Sequence, residues 1–378
     1  MRKIQKEDSY FLIVVAILLW IFGLGVGSGI GMQLHLYECL EMVTLVLFIF
    51  YIIKHKKLNT NMLVLICYVI IFSAYTYFTY GSTILDYVWL YLLVFLIGKQ
   101  NISPQILNII GVLYGALGLI ILIIARVTSI FSGWDGNGIS MISFFSYTLF
   151  VATRFDNKSK KSILFLITYS IAYFALLNIW GSRGSILFSL ILLLGGFNLI
   201  PLKSMMKSNF FRLILLFLPL VIAIVVVNIR NMEFVVQLNF WSLMKSGKPI
   251  FNERDAIWAY GFETAREHLI FGTGNFAGNW HNSAVTCLVG TGIVGYCIWV
   301  FCINEVLKKA KQYWENPYAF GLAAAFMVIW LQQSVELGLI QVRGQIVPFV
   351  ILGLMCARVN TLRREKYELQ DFDCNSNL

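Results

Sequence analysis

Long apolar segments recur along almost the whole chain, and only short polar connections separate most of them. A membrane-spanning helix needs about 20 consecutive, mostly apolar residues, and most of these segments reach that length. They begin near Tyr10, Leu34, Met62, Ile84, Gln105, Ile139, Ile163, Ser185, Phe211, Asn282, Tyr318 and Gly344. The pattern predicts an all-α polytopic membrane protein with about twelve transmembrane helices, or eleven if one short run is re-entrant. Residues 1–378 then form a single integral membrane domain.

Composition agrees with a chain whose solvent is mostly lipid. Charged residues make up 13% of the sequence and the mean hydropathy is +0.76, whereas a soluble domain carries about 25% charged residues. The first apolar stretch follows a basic start, as a signal peptide would. Because further apolar segments follow it, we expect it to be the first membrane helix. The seven cysteines show no metal-ligand spacing, so we predict no metal site.

The basic residues indicate how the chain is oriented in the membrane. With the N-terminus in the cytoplasm, 21 of the 29 Lys and Arg residues fall in cytoplasmic segments, as the positive-inside rule requires. We therefore expect a protein of the cytoplasmic (inner) membrane with both termini in the cytoplasm. The net charge of +10 is then a topology signal and not a nucleic-acid surface. The eight basic residues on the outer side are Arg126, Arg183, Arg230, Lys245, Lys248, Arg254, Arg266 and Arg343.

The one long connection covers residues 228–281 and faces the extracytoplasmic side in this topology. Long loops on rigid scaffolds often carry function. The second half of this loop is predicted to be helical, with Asn252 as N-cap and Asp255 as its capping-box partner. Its apolar face would lie on the bundle or at the membrane interface, and its charged residues would face either water or a ligand. That apolar face consists of Ile257, Trp258, Gly261, Phe262, Ala265 and Leu269.

Three short motifs lie between residues 182 and 295. His281 and Asn282 are followed, after nine residues, by a Gly-x-x-Gly pair at Gly292 and Gly295. A Ser-Arg-Gly triplet places Arg183 at the start of an apolar run. The third motif is an Arg-x-x-x-Trp segment that leads through Gly-x-Gly to His281, and its residues are Arg254, Trp258, Gly272 and Gly274.

Together with the helix count and the late outer loop, these motifs resemble the O-antigen ligase and polysaccharide polymerase family. The resemblance implies a metal-independent, cofactor-free glycosyltransferase that acts on the extracytoplasmic side. It implies an oligosaccharide donor linked to undecaprenyl pyrophosphate and a glycan or lipid acceptor, with membrane lipids and other polysaccharide-assembly proteins as further partners. It also implies catalytic roles for His281, Arg183 and Arg254, and it makes Gly292 and Gly295 the motif glycines. We assign substrate binding to Arg266, Asn282, Gly272 and Gly274.

The residue types fit that chemistry, although each has a simpler reading. Arg183 lies where a membrane helix meets the outer surface, and it either snorkels to lipid phosphates or binds a ligand. Arginines that neutralise a departing pyrophosphate would stabilise the transition state. His281 is the candidate base because imidazole titrates near neutral pH; binding of the acceptor without proton transfer is the alternative.

Other polar and aromatic residues at the outer helix ends have open roles. Glu38, Glu41, Asp86 and Glu336 could bind sugar hydroxyls or pair with Arg183 and Arg343. We favour pairing for most of them and assign none to catalysis. Trp134, Trp258 and Trp280 are either membrane-interface aromatics or platforms for sugar stacking.

Two rival functions remain open. A lipid-linked oligosaccharide flippase or other transporter also has about twelve helices, but a transporter built from repeats should show matching halves, and this sequence shows no internal repeat. An O-antigen ligase shares the motifs above. We favour a polymerase of capsular or O-antigen-type repeat units, because the outer loop carries no second domain for a lipid A-core acceptor.

Overall fold

The computed structural model is all-helical in the part of the chain that it describes. The described residues are 12–21, 36–55, 67, 70–71, 73–75, 77–78, 85–128, 136–156, 159–247, 249–276, 278–340 and 345–375. In these ranges the helices are α1 Leu12–Ile21, α2 Leu36–His55, α3 Leu85–Gly98, α4 Pro104–Val127, α5 Gly136–Ala152, α6 Lys160–Ile179, α7 Arg183–Gly196, α8 Leu202–Lys207, α9 Asn209–Ile229, α10 Glu233–Ser246, α11 Arg254–Glu267, α12 Ser283–Ala310, α13 Pro317–Gln332 and α14 Ile346–Asn375.

Most of the predicted apolar segments coincide with helices, since eleven of the twelve begin within three residues of a helix start. The segment predicted from Met62 falls largely outside the described residues. Five of the helices are long and apolar enough to cross a membrane, namely α4, α6, α9, α12 and α14. Helices α1, α3, α5, α7 and α13 are apolar but contain a described stretch of only 10–17 residues each. The structure therefore has the features of a multi-pass membrane protein, with five helices of full spanning length among the described residues.

Helix α13 forms the centre of the bundle. Every residue from Tyr318 to Gln332 is buried, and helices α5, α7, α9 and α14 pack around it. Asn316 caps its N-terminus by accepting a hydrogen bond from the Ala319 N–H, and Pro317 occupies the first turn. A helix that is apolar on all sides must be enclosed by other helices. Helix α13 therefore provides the surface against which α7 and α9 pack.

The predicted loop of residues 228–281 contains two helices, α10 and α11, where the sequence indicated only the second. The predicted cap on α11 is wrong. Asn252 and Glu253 both adopt left-handed backbone conformations (φ 50° and 66°), and no side chain caps the helix. The chain makes a sharp turn there instead of entering the helix from an extended N-cap, which aims the first helical residue, Arg254, back toward the bundle.

The predicted apolar face of α11 is confirmed over most of its length. Trp258, Gly261 and Ala265 are buried in a cluster with residues of α9 and α12. Leu269 lies beyond the end of the helix and is 50% exposed, so the helical pattern was extended one turn too far. The packed face fixes the orientation of α11 on the bundle.

Candidate functional site

A cavity of about 360 Å³ opens at the end of the bundle where α6 meets α7 and where α9 ends. We call this end the cavity end. Its walls come from the start of α7, from α9, from the segment before α11 and from the segment after α13. Three charged side chains line it, Arg183, Arg254 and Glu336, together with apolar side chains of α7 and α9, Leu187, Phe188 and Ile222. The cavity thus joins a charged rim to an apolar wall formed by membrane helices.

Arg183 is the first residue of α7. The chain reaches it through Gly181, whose φ of +69° suits glycine, and through the N-cap residue Ser182, which hydrogen bonds to the Ser185 hydroxyl. The Arg183 side chain is exposed and lines the cavity. The next residue is Gly184. A Cβ atom at this position would lie 3.2 Å from the Val335 side chain, which is closer than most real contacts. The segment after α13 can therefore lie close to the start of α7.

Arg254 and Glu336 also line the cavity and form an ion pair with each other. Arg254 Nη2 donates to Glu336 Oε1 at 2.7 Å, and the two side chains are 17% and 12% exposed. Arg254 Nε is buried and has no hydrogen-bond partner among the residues that the structure describes. Because a guanidinium carries five N–H donors, Arg254 can keep its bond to Glu336 and still donate to a ligand.

His281 lies beside the same carboxylate. Its Nδ1 is 3.8 Å from Glu336 Oε2, and the side chain is 24% exposed. Within the described part of the chain, Nδ1 makes no hydrogen bond. The residue has a left-handed backbone conformation (φ 47°), which is uncommon for a residue other than glycine. His281 is not among the residues that line the cavity, so Glu336 is the link between it and Arg254.

Asn282, which we predicted to bind substrate, is fully buried and makes four hydrogen bonds to protein. Its side-chain oxygen accepts from the N–H groups of Ala284 and Val285 and so caps α12. Its amide group donates to the carbonyls of Pro219 and Ser334 at 3.0 and 2.9 Å. Both amide hydrogens are therefore used. In this geometry Asn282 joins the start of α12 to α9 and to the segment after α13, and it has no side-chain hydrogen-bonding group left for substrate.

The motif glycines build a backbone junction that we call the glycine clasp, residues 268–274 and 289–295. Helix α12 breaks at Gly292, whose φ is +66°. Ile293 N–H and Val294 N–H would normally bond four residues back, to Val289 and Gly290. They bond instead to the carbonyls of Leu269 and Ile270, and the vacated carbonyls of Val289 and Gly290 accept from Thr273 N–H and Gly274 N–H at 2.8 Å.

This exchange explains why three of the clasp positions need glycine. Gly272 and Gly274 both have φ of +71°. A Cβ on Gly272 would overlap the backbone of Gly290 and Thr291, and one on Gly292 would overlap the backbone of Ile270. The Gly274 N–H is bonded within the clasp and that of Gly272 to the His268 carbonyl. The N–H donors of these two glycines are therefore occupied by protein carbonyls, and their predicted role in substrate binding stays a prediction.

Gly295 belongs to the same junction. It lies one turn after the break, and a Cβ there would overlap the Thr291 side chain. The Thr291 hydroxyl in turn donates to the Cys287 carbonyl at 2.7 Å.

Neither a protein-family model, nor a curated protein, nor a solved structure matches this chain. We therefore argue function from the geometry of these side chains.

Several predicted residues lie away from the cavity lining. Arg266 is exposed in the last turn of α11, about 18 Å along the helix from Arg254 at 1.5 Å per residue. Trp258 and Trp280 are buried, and the Trp258 indole N–H donates to the Trp280 carbonyl. Neither ring offers an open face for sugar stacking, and Trp134 lies outside the described residues.

From the sequence, Glu336 was expected either to bind sugar hydroxyls or to pair with Arg183 or Arg343. The structure pairs it with Arg254. A signal was present, since the apolar run of α13 ends in the polar residues Gln332, Gln333 and Ser334. The Gln333 side-chain oxygen accepts from the Ser283 hydroxyl and the Leu339 N–H. These bonds attach the segment that carries Glu336 to the start of α12.

Proposed function

We propose that this protein is a polymerase of undecaprenyl-pyrophosphate-linked oligosaccharide repeat units, acting on the outer face of the cytoplasmic membrane. The observation that carries the proposal is the convergence of Arg183, Arg254 and Glu336 on one cavity at one end of a helical bundle, with His281 beside Glu336. The distribution of Lys and Arg along the chain favours the outer side for that end. A capsular or O-antigen-type polysaccharide would be the product.

The cavity suits an amphiphile with a phosphate-rich head. Arg183 and Arg254 supply two cations at its rim, and Leu187 and Ile222 line the side formed by membrane helices. Arginine binds phosphate oxygens through paired N–H donors. Glu336 pairs with Arg254, which lowers the net positive charge of the cavity rim. A pyrophosphate would bind Arg183 and the remaining donors of Arg254.

The proposed reaction transfers the growing glycan from its pyrophosphate carrier to the next repeat unit. The bond between the sugar anomeric carbon and the phosphate oxygen breaks, and a bond from the acceptor hydroxyl oxygen to that carbon forms. The hydroxyl proton passes to His281, and polyprenyl pyrophosphate leaves with its charge stabilised by the two arginines.

Glu336 has a positioning role in this scheme. Its carboxylate faces Nδ1 of His281, which leaves Nε2 as the ring nitrogen for the acceptor proton. The 3.8 Å separation is longer than a hydrogen bond, and the proposed mechanism requires it to shorten when substrate binds. The carboxylate would then fix the tautomer that has a basic Nε2 and stabilise the imidazolium that forms. Because the same carboxylate holds Arg254, one side chain would orient both the base and one of the cations.

The test is a gel analysis of surface glycan and lipid-linked intermediates after deletion of the gene, with complementation by variants. Wild type should restore long polymer, and His281→Ala should accumulate single lipid-linked repeat units. His268→Ala is the matched control, because His268 belongs to the same loop but lies at the end of α11. Membrane levels of each variant are measured in parallel.

The other outcomes identify the rival functions. Long lipid-linked polymer that never reaches its final acceptor in the deletion strain would indicate a ligase. Absence of lipid-linked glycan from the outer leaflet would indicate a flippase. Normal polymer with His281→Ala at normal membrane levels would overturn the proposal.

A further inference from the structure

Helix α10 has the reverse of the usual surface pattern of a water-exposed helix. Only a narrow stripe faces the protein, formed by Val235, Asn239 and Ser242, and two of these three residues are polar. The outward surface is mostly apolar. Its large exposed side chains are Phe234, Val236, Leu238, Phe240, Trp241, Leu243 and Met244, with exposed fractions between 44% and 73%.

The apolar surface extends around most of the helix. At about 100° per residue, these seven side chains cover an arc of roughly 220°. A partner helix would occupy a single stripe of about 100°, so one packed helix would leave much of this surface in water. A lipid environment covers the whole arc at once, and exposed apolar surfaces of this extent mark interaction sites.

The position of α10 in the chain also favours lipid. Helix α9 is one of the helices long enough to cross a membrane, it ends at Ile229, and α10 begins at Glu233. The outward side chains Ile224 and Val225 in the last turns of α9 are also exposed. The apolar surface of α10 therefore begins within one turn of a membrane-spanning surface.

The length and charges of α10 indicate a helix at the lipid–water boundary. Its 14 residues extend about 21 Å, which is too short to cross a hydrocarbon layer of about 30 Å. Its charged residues lie near the two ends, at Glu233 and Lys245. The Lys245 ammonium lies over the Trp241 ring at 4.7 Å from the ring centroid. A Trp–Lys pair beside an apolar surface is typical of interfacial helices.

We propose that α10 is embedded in the membrane leaflet at the cavity end, with phospholipid acyl chains around its exposed apolar surface. This inference does not depend on the proposed glycosyl transfer, because none of the side chains that carry it lines the cavity.

The helix is coupled to the cavity through the chain that follows it. Gly247 ends α10 in a left-handed conformation, and the Asn239 side chain of α10 accepts a hydrogen bond from Ile250 N–H at 3.0 Å. Pro249, Ile250 and Asn252 line the cavity. One wall of the cavity is thus attached to a lipid-embedded helix, which places the cavity at the level where lipid headgroups lie and gives it access to ligands that diffuse in the membrane.

The test measures the surroundings of α10 in the full-length protein, reconstituted in vesicles of phosphatidylethanolamine and phosphatidylglycerol. p-Acetylphenylalanine replaces Phe240 and is labelled with a ketone-reactive nitroxide, so the native cysteines stay in place. Collision rates with oxygen, which concentrates in lipid, and with a water-soluble nickel chelate are then compared. The same label at Glu263, an exposed position of α11, provides the water reference, and a label at the buried Ser242 provides the protein reference.

We expect an oxygen-to-nickel collision ratio several-fold higher at position 240 than at position 263. A ratio equal to that at position 263 would show that α10 lies in water and would overturn the proposal. A position 240 as inaccessible to both reagents as position 242 would show that another protein segment or a second copy covers α10, and would also overturn it. Since Phe240 is 64% exposed, replacing it with a similar aromatic residue leaves the packed stripe intact.

Discussion

The glycine clasp and the cavity both include residues of the loop 228–281, but the polar groups of the two regions differ in how they are paired. In the clasp, four N–H groups and four carbonyls pair with one another across the break in α12. At the cavity end, Arg254 Nε and His281 Nδ1 are buried without a hydrogen-bond partner among the described residues. Buried polar groups are usually paired. We infer that the clasp is a completed structural joint, whereas Arg254, which lines the cavity, keeps N–H donors for a ligand.

The largest effect is expected from closing the space in the clasp. Gly272→Ala and Gly292→Ala should each reduce stability by about 4 kcal/mol or more, because a Cβ would overlap backbone atoms at a left-handed residue. Thermal unfolding of purified protein in detergent measures this loss. Gly247→Ala is the matched control, since Gly247 has a similar φ of +68° but nothing within 4 Å of the added Cβ.

The control should lose only the cost of a left-handed alanine, about 1–2 kcal/mol. Equal losses of stability for Gly272→Ala and Gly247→Ala would show that the clasp has no steric requirement for glycine, and would contradict its description as a closed structural joint.

The second largest effect is expected from removing the Arg183 side chain, and it should lower activity without lowering the amount of folded protein. Arg183→Ala should lower the polymerisation rate by about 10²–10³-fold, the usual cost of removing one group that stabilises developing charge. Its side chain is exposed, so the amount of folded protein in the membrane should stay near wild type. Arg126→Ala, which changes an exposed arginine near the end of α4, is the control. Loss of folded protein with Arg183→Ala would return this arginine to a structural role.

Asn282 tests whether a fully hydrogen-bonded residue next to the site is structural. It adjoins His281, but its side-chain oxygen and both amide hydrogens already bond to protein. Asn282→Ala should destabilise the protein by about 2–4 kcal/mol, through the lost helix cap and two unsatisfied carbonyls. Activity per folded molecule should fall less than tenfold. Unfolding curves and rates normalised to folded protein measure both quantities, with the exposed Asn279→Ala as control. An inactive variant of normal stability would show that Asn282 acts on substrate.

The smallest effect is expected at the opposite end of the bundle. Hydrogen bonds from Lys207 and Lys203 lower the pKa of Glu315 to about 2, but its side chain is 76% exposed. A lowered carboxyl pKa stabilises the fold above the ordinary value near 4.5 and loses that contribution as pH falls toward 2. Exposed ion pairs contribute little, so Glu315→Gln should leave the unfolding temperature at pH 7 almost unchanged. A large drop would show that this exposed ion pair contributes substantially to the stability of the fold.

The helical architecture could be predicted from the sequence because apolar runs have a period and a length. Starts such as Pro104 and Ser283 follow side chains, Ser103 and Asn282, that cap the helix locally. The lengths of the helices were predicted less well. Helix α7 ends at a pair of glycines and α13 ends at polar residues, and whether such segments are buried depends on neighbouring helices.

The site was predictable in its chemistry but not in its pairing. Arg183, Arg254 and His281 were named as candidates from their motifs. Glu336 was named only as a possible sugar ligand or ion-pair partner, because its contact with Arg254 joins residues 82 positions apart. The bonding of the glycines was hidden from the sequence for the same reason. Gly272 and Gly292 exchange hydrogen bonds across a break in α12 that a helical pattern does not reveal.

We propose that the cavity end performs glycosyl transfer with protein side chains alone. Reconstitution of the purified protein is the strongest test of this proposal. Purified protein would be placed in vesicles that contain polyprenyl-pyrophosphate-linked repeat units, with EDTA in the buffer, and chain length and released polyprenyl pyrophosphate would be measured. We expect wild type to extend the glycan and to release one carrier per bond formed, and Glu336→Gln to do so more slowly, with an altered pH profile. Folded wild-type protein that forms no polymer, or that requires a divalent metal ion, would contradict the claim.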